Sequence, residues 1–523
     1  MEAVRQSVQS TDSHNTLPVP HTNSDGFVDF GPGDPGDPRN WSKSRKWYIT
    51  LCTSLLAMVG NLASSIPSGS LKHISRDFHI SEGVAALTVT LFLLGYCLGP
   101  FIFAPLSEFY GRRPIFRISF SFFVLFSLLC AFATNFGTLL TARFLAGACV
   151  SAVLSNAPGV LADLWDNLAR GNAMAIFSTS VWIGPSLGPI ISGFLVLHKN
   201  WRWGFYVVLC LSGVSMLFML TIPETNGAII LLERARRIRK AGIRGYEHVQ
   251  TEYEAANMSL FTIYKTALTR PWALLLDPIS FLCAVYMALI FALQFMLFTI
   301  YPIVFQQMRG WNEGVGQLPL LGTVVGSVVG AVVIFLDTKR RKNKLEAGYS
   351  LEPEDRLIMG MMGGIGFAIT MFWFSWTAQY NSIHWSVPTI AGGFLSTALI
   401  LTFTSYMNYL VDSYVDCAAS AIAVNTFARS LGSAFAPLFT PKMFQTLGVG
   451  GGGSLIGGAA SILAVVPFVF HRYGKAIRAR SKYSPLDAAV KLDPEERDGN
   501  PVDNSLRDVE EGSETLGPRN ERT

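Results

Sequence analysis

The sequence predicts an all-α integral membrane protein, and three observations support this fold class. Half of the 523 residues are hydrophobic, 15% are charged, and the mean hydropathy is +0.36. The apolar residues form long uncharged runs, such as residues 84–106, which suit a helix crossing a hydrocarbon core about 30 Å thick. The basic residues lie in short groups between these runs, which is typical of membrane-protein loops and argues against a nucleic-acid-binding face.

Twelve such apolar runs follow one another along the chain. The polar interval at residues 223–271 divides them six and six, which predicts two pseudo-symmetric six-helix bundles, residues 46–222 and 272–475, joined by a linker. The loop FLDTKRRK, residues 335–342, follows the eighth run much as SEFYGRRP, residues 107–114, follows the second, which supports an internal repeat. The runs cover residues 47–67, 84–106, 115–134, 138–162, 171–197, 203–222, 273–300, 315–336, 357–378, 385–411, 417–440 and 452–471.

The distribution of basic residues predicts the orientation of these spans. The loops on one side carry more arginine and lysine, so this side and both termini are predicted to be cytoplasmic. Residues 1–45 and 476–523 are polar and predict disordered cytoplasmic tails. No cleavable signal peptide precedes the first run, so we expect the first span to direct membrane insertion.

The turn between the second and third runs concentrates charge beside a glycine. Glu108, Arg112 and Arg113 flank Gly111 within a few residues of two apolar runs. Such a cluster between spans marks a cytoplasmic loop. A purely topological role for the two arginines is the alternative interpretation.

The fifth run combines small residues with prolines. Gly184, Gly188 and Gly193 would let another helix approach closely, while Pro185 and Pro189 remove backbone donors and bend the helix. This pattern predicts a helix that can rock against its neighbour, although close packing alone would also explain the glycines.

Two arginines lie inside spans, and acidic residues are absent from the central parts of all twelve runs. Arg143 and Arg429 would each cost roughly 2.5–3.5 kcal/mol on insertion scales, so each is expected to face a cavity or a partner. A cavity without a central carboxylate suits neutral or anionic compounds better than cations. A proton step would then use carboxylates at the rim, such as Glu108 and Asp163, or a proton carried by the substrate.

Uncharged polar and aromatic residues within the spans are candidates for the wall of a binding cavity. A site of broad specificity is expected to be mostly apolar with a few polar groups. Each residue is individually more common in helix packing than in ligand contact. The predicted cavity residues are Asn61, Asn156, Trp182, Gln294, Tyr301, Tyr406, Asn425 and Arg429.

Two segments resemble motifs of the major facilitator superfamily. APLSEFYGRR, residues 104–113, is similar to motif A, and GPSLGPIISG, residues 184–193, is similar to the antiporter motif C of span five. Together with ARFLAGACVS in span four, they make residues 45–475 resemble fungal twelve-span drug:proton antiporters. The chain departs from the family pattern where Glu108 replaces aspartate, and where Ala104, Ala175 and Ser192 replace glycine.

The resemblance implies roles for individual residues. Glu108, Gly111, Arg112 and Arg113 would form a conformational latch with Asp163 and with the N-terminus of span eleven near Ala418. Arg143 would take part in proton coupling. Gly184, Pro185, Gly188, Pro189 and Gly193 would form the antiporter hinge.

The expected activity is proton-coupled export of small hydrophobic compounds, such as drugs, toxins or secondary metabolites, across the plasma membrane by alternating access. No P-loop, HExxH or Rossmann pattern occurs, so neither an enzyme nor an ATP-driven pump is predicted. The expected partners are a small-molecule substrate, protons and the lipid bilayer, with no cofactor, metal or nucleic acid, and we expect a monomer. Two alternatives stay open: a facilitator or proton symporter importing a nutrient, and a non-transporting membrane receptor on the same fold.

Overall fold

The computed structural model describes residues 21–24, 26–166, 169–241, 248–255, 259–349, 352–414 and 418–478. These residues form helices and short connections, and the described part of the chain contains an isolated bridge between Thr22 and Val28 but no β-strand. Among the described residues, eleven helical segments are long and apolar enough to cross a membrane. The predicted all-α membrane fold is therefore confirmed.

The N-terminal half begins with a helix capped by Ser42, whose hydroxyl accepts a hydrogen bond from the Arg45 amide. Gly111 ends the second long helix with φ +99°, a left-handed conformation that favours glycine. The helices of this half are α1 Lys43–Ser65, α2 Leu71–Asp77, α3 Glu82–Ala85, α4 Leu87–Tyr110, α5 Arg112–Ala131, α6 Phe136–Leu164, α7 Arg170–His198 and α8 Arg202–Leu220.

The linker contains three helices, α9 Gly227–Lys240, α10 Glu252–Ala255 and α11 Leu260–Leu275. The C-terminal half then comprises α12 Pro278–Tyr301, α13 Leu321–Glu346, α14 Leu357–Gln379, α15 Ser386–Ser413, α16 Ala418–Leu463 and α17 Val466–Arg478. Short 3-10 helices precede α13 and α14, and a π-helix, Pro302–Met308, extends α12.

The last apolar segment, Ser420–Arg478, contains two crossings. It has 59 residues, and one straight helix of that length would measure roughly 90 Å, about three times the hydrocarbon thickness. Gly448 breaks α16 with φ +71° and ψ 173°. The predicted spans eleven and twelve lie on either side of this glycine, so eleven helical segments are compatible with twelve crossings.

Small residues allow the helices to pack closely. A Cβ atom on Gly147 would lie 2.1 Å from the Phe92 carbonyl oxygen, so α4 and α6 can meet here only because this position is glycine. The two halves contact each other through α4 against α16 and α7 against α13. These two seams define the space between the halves.

Part of the N-terminal tail is ordered, which differs from the predicted disorder of residues 1–45. The Asp34 carboxylate pairs with the Arg234 guanidinium of α9 at 2.5 Å, and the Val28 amide donates to the Gln250 carbonyl. The Trp41 indole donates to the Pro35 carbonyl, which closes the proline-rich turns. Residues 26–41 therefore form a strap that is bound to the linker, while residues 1–20 and 479–523 lie outside the described residues.

Candidate functional site

We call the membrane side that carries α9–α11 the linker side, and the opposite side the far side. A cavity of about 400 Å³ lies between the two halves on the linker side. Its wall combines Met174, Met407 and Ile422 with the polar side chains of Asn156 and Asn408. This mixture of apolar groups and a few polar ones is typical of small-molecule sites.

Two of the predicted latch residues, Arg112 and Asp163, lie close together, and Arg112 also lines the cavity. Arg112 Nε lies 3.6 Å from Asp163 Oδ2, and Arg112 Nη1 donates to the Ser107 hydroxyl at 2.8 Å. The Glu224 carboxylate accepts the backbone N–H groups of Arg112 and Arg113, each at 2.9 Å, at the N-terminus of α5. An anion is favoured at this position by the helix dipole.

The other latch residues have distinct placements. A Cβ atom on Gly111 would lie 2.6 Å from Glu224 Oε2, so this turn admits the carboxylate because it carries no side chain. The side chain of Arg113 is exposed. Glu108 lines the cavity together with Ala423 of α16.

The C-terminal half repeats this arrangement of charges. Arg356 Nε donates to Asp412 Oδ2 at 2.7 Å, and Arg341 Nε donates to Asp337 Oδ2 at 2.9 Å. Asp412 ends α15, the tenth crossing, as Asp163 ends α6, the fourth. Sequence reasoning missed Asp412 and Arg170 as cavity residues, although both line the cavity. The repeat of SEFYGRRP in FLDTKRRK indicated charges at Asp337 and Arg341, but it contains neither of the missed residues.

A layer of aromatic rings around Arg429 closes the inner end of the cavity. A narrow extension of about 30 Å³ leads from the cavity to Arg429. The Arg429 guanidinium lies 4.6 Å from the Phe291 ring centroid and 5.7 Å from that of Phe403, and the Trp182 ring lies 5.1 Å from that of Phe291. These contacts offset part of the cost of burying the cation.

Hydrogen bonds between the halves lie next to this layer. The Ser186 hydroxyl of α7 accepts from Gln294 Nε2 of α12 at 3.3 Å and from the Thr323 hydroxyl of α13 at 2.9 Å. The Gln294 side chain and both hydroxyls are buried. The aromatic layer and this cluster separate the linker-side cavity from the far side.

The far side has a second cleft between the halves, of about 340 Å³. Below it the halves meet closely, because a Cβ atom on Gly193 of α7 would lie 2.6 Å from the Glu313 carbonyl oxygen. The His73 ring Nδ1 of α2 lies 3.5 Å from Glu313 Oε2, so this pair also joins the halves. Lys72, Glu82 and Lys442 are further charged residues of the cleft wall.

The predicted hinge glycines of α7 contact two different partners. A Cβ atom on Gly184 would lie 2.4 Å from the Met58 carbonyl oxygen, and one on Gly188 would lie 2.2 Å from the Ser65 hydroxyl, both in α1. Gly193 instead contacts the other half. Pro185 and Pro189 lie within α7 between these contacts.

All three guanidinium nitrogens of Arg143 donate hydrogen bonds inside the N-terminal half. Its Nε donates to the Thr88 carbonyl at 2.8 Å, Nη1 to the Ala63 carbonyl at 2.8 Å and Nη2 to the Ser64 carbonyl at 3.0 Å. Its guanidinium also lies 4.1 Å from the Phe92 ring centroid. Ala63 and Ser64 directly precede Ser65, the last residue of α1, so Arg143 satisfies carbonyls where this helix changes to a 3-10 turn.

The structure divides the eight predicted cavity residues into three groups. Asn156 and Arg429 line the linker-side cavity or its extension. Trp182 and Gln294 belong to the central layer. The remaining four are buried in helix packing, where Asn61 donates to the Ala57 carbonyl, Asn425 donates to the Ala421 carbonyl, Tyr301 stacks on Phe374 and Tyr406 packs edge-on against Tyr286.

These features define a multi-pass membrane protein with a cavity between two helical halves on each side of a central layer. The Major Facilitator Superfamily pattern matches residues 53–437. The chain therefore belongs to the major facilitator superfamily, whose members are transporters of small molecules.

Similar proteins carry names of exporters. The chain is 39% identical over 467 residues to the efflux pump FUB11 of Gibberella moniliformis, covering 88% of this chain and 78% of that protein. It is 38% identical over 454 residues to the multidrug transporter mdrA of Aspergillus fumigatus, covering 86% and 74%. It is 36% identical over 459 residues to the multidrug transporter TPO1_2 of Candida glabrata, covering 87% and 79%.

A solved structure supports the fold. The proton:xylose symporter XylE bound to 6-bromo-6-deoxy-D-glucose superposes with a TM-score of 0.60 and 18% identity, covering 83% of this chain and 96% of that one. At this identity the likeness concerns the fold alone.

Proposed function

We propose that this protein exports small hydrophobic compounds across the plasma membrane by proton antiport with alternating access. The observation that carries the proposal is the pair of clefts, about 400 Å³ and 340 Å³, that face opposite sides and are separated by the Arg429 layer. A transporter that exposes one site to either side in turn needs this arrangement. The names of the relatives support export as the direction.

The proposed unit is a monomer of two six-helix bundles, residues 46–222 and 272–475, with the linker side in the cytoplasm. The loops of that side carry the larger number of arginines and lysines, which supports this orientation. Both termini would then be cytoplasmic.

The proposed substrates are neutral or anionic hydrophobic compounds. Met174, Met407 and Ile422 supply apolar surface, and methionine adapts to ligands of different shape. Arg429 and the rings of Phe291 and Phe403 end the path from the cavity, so an anionic or aromatic group would find a cation and π-surfaces there.

The proposed cycle alternates between closure of the far side and closure of the linker side. Glu108 and Asp163 at the cavity mouth can exchange protons with the cytoplasm, and Arg112 can release Asp163 when the halves move. Arg143 would couple this movement to α1, because its three bonds hold the end of that helix.

Proton flux in liposomes tests this function. The protein would be reconstituted with a pH-sensitive dye inside, and neutral, anionic and cationic hydrophobic compounds would be added under an imposed proton gradient. We expect proton movement opposite to a neutral or anionic compound, reduced at least tenfold in Arg143→Ala. Arg76→Ala, which alters an exposed arginine of α2, is the matched control and should retain the flux.

Other outcomes would favour the alternatives. Equilibration of a compound without proton movement would indicate a facilitator, and proton movement in the same direction as the compound would indicate a symporter. A protein that moves none of the compounds would favour a receptor. Strong selective movement of cationic compounds would overturn the substrate class.

A further inference from the structure

The amphipathic helix α11 covers the seam between α4 and α16 on the linker side. The Tyr264 hydroxyl donates to the Ile102 carbonyl of α4 at 3.0 Å. The Trp272 ring lies 6.0 Å from Phe101 of α4 in a stacked arrangement, and 5.2 Å from Phe427 of α16 in an edge-on one. One helix of the linker therefore contacts both halves of the protein.

The outer face of α11 is apolar and largely exposed, and only Trp272 at its C-terminal end also contacts α4 and α16. Phe261, Leu268 and Trp272 are 77%, 47% and 46% exposed, and their spacing of seven and four residues places them on one side of the helix. A helix with such a stripe beside the spans lies in the interface of the bilayer, with the stripe towards the acyl chains. The edge of the seam is thus next to lipid.

A second cavity, of about 270 Å³, lies beneath α11. Its wall is mainly apolar, with Phe101 and Pro105 of α4 and Ile263 and Ala267 of α11. Glu108 and Arg270 also line it. Because these opposite charges offset one another, the cavity favours a ligand without net charge.

Only a thin wall separates this cavity from the linker-side cavity. Pro100, Ala104, Glu108 and Ala423 line both spaces. Ala104 of α4 and Ala423 of α16 have small side chains, so a small separation of these helices would join the two cavities. A molecule beneath α11 would then reach the transport cavity without passing through water.

We propose that the cavity beneath α11 is a binding site for neutral, lipid-dissolved amphiphiles, and that it is a side entrance through which they reach the linker-side cavity. The occupant is a compound of the exported class with an apolar body and one uncharged polar group. This inference rests on the proposed function. Trp272 closes the seam when the site is empty, and movement of α11 opens it.

Photolabelling tests the binding site without a gradient. The full-length protein in phospholipid nanodiscs would be labelled with a diazirine analogue of octanol, and adducts would be located by mass spectrometry. We expect adducts on the α4 and α11 peptides that line the cavity. Ala267→Trp should reduce them at least fivefold by filling the space, and Ala267→Leu should reduce them less.

The matched control is Thr269→Trp, which places the same ring on an exposed position of α11 and should keep wild-type labelling. Thermal unfolding of each variant would show whether it is folded. Absence of adducts in the wild type would overturn the site, as would wild-type labelling in folded Ala267→Trp and Ala267→Leu. Labelling that excess Nile red does not displace would indicate a resident lipid and would overturn the side entrance.

Transport of two dyes separates the side entrance from the proposed function. Export of Nile red, a neutral lipid-partitioning dye, should fall at least fivefold in Ala267→Trp, while export of the water-soluble anion fluorescein should be unchanged. Equal loss for both dyes would overturn the side entrance. If the wild type exports neither dye, the proposed function fails for these compounds, and the labelling result still decides whether the site exists.

Discussion

The two sides of the protein differ in how contacts and charges are arranged between the halves. On the far side, Gly193 brings α7 against the Glu313 carbonyl so closely that a methyl group would not fit. On the linker side, the ion pairs around the cavity, Arg112 with Asp163 and Arg356 with Asp412, each join residues of the same half. The far side therefore has a close steric contact between the halves, whereas these two ion pairs of the linker side lie within single halves.

This difference has an energetic consequence. Separating two halves that are joined by ion pairs would leave charges unpaired, which is costly where water is scarce. Arg112 and Arg356 avoid this cost because each keeps its carboxylate partner within its own half. On the far side the halves meet in the close fit at Gly193. Its His73–Glu313 contact also joins the halves, but the two side chains are each about 30% exposed.

The largest expected effect comes from replacing Gly193 by valine. The new side chain would overlap the Glu313 backbone, and overpacking of this kind typically costs about 1–3 kcal/mol. We expect the far side to stay open and export of Nile red to fall more than tenfold. Thiol labelling of Gln317→Cys, on the segment that α7 contacts, should become faster.

Gly213→Val is the control for this prediction. Gly213 lies in α8, and a Cβ atom there would have no neighbour within 4 Å. The same substitution should leave both export and labelling near wild type. Export above half of the wild-type rate in Gly193→Val would mean that this contact does not close the far side.

A smaller effect is expected from neutralising one carboxylate on the linker side. Asp163→Asn would weaken its pairing with Arg112, but the two side chains are 25% and 15% exposed, so water screens part of the interaction. We expect a three- to tenfold lower maximal rate of export. Asp412→Asn, the equivalent change in the other half, should act similarly.

The double variant Asp163→Asn with Asp412→Asn tests whether the charges of the two halves act independently. If each half holds its own charges, the effects of Asp163→Asn and Asp412→Asn on export should multiply. A double variant no worse than either single one would show that the two carboxylates act as one unit across the cavity. In that case the charges of the linker side would act between the halves, as the contacts of the far side do.

The sequence was sufficient to predict where the spans lie, but it was not sufficient to predict which face of each helix lines the cavity. Asn156 and Tyr301 both lie in apolar spans, yet Asn156 lines the cavity and Tyr301 packs inside the C-terminal half. A helix that is hydrophobic on all sides gives no periodic signal for the face that meets a cavity. The position of Asn156 and Tyr301 in apolar spans therefore predicted that both are buried. It did not predict which residues surround their side chains.

Contacts between segments far apart in the chain also could not be predicted from the sequence. His73 and Glu313 belong to different halves, and neither lies in a recognisable motif. The predicted seventh run began at residue 273, which merged the end of α11 with α12, although the chain turns at Asp277 between them. Sequence reasoning consequently did not recognise α11 as a separate helix that covers the seam between α4 and α16.

The smallest expected effect concerns the response of the strap, on the linker side, to acid. The hydrogen-bonded guanidinium of Arg234 holds the pKa of Asp34 below its ordinary value. The carboxylate binds fewer protons in the bound strap than when released, so the pair stabilises the strap above the ordinary range of aspartate, near pH 4, and loses this contribution as the pH falls through the lowered pKa.

Hydrogen exchange of residues 26–41 should therefore be constant between pH 5 and 8, after correction for intrinsic rates, and should accelerate in stronger acid. Asp34→Asn should exchange faster at neutral pH and lose the acid response, whereas Asp29→Asn, a neighbouring aspartate that accepts from the Phe30 amide, should keep it. Acceleration of strap exchange between pH 5 and 8 in the wild type would contradict this role of Asp34, because its lowered pKa places its titration below that range.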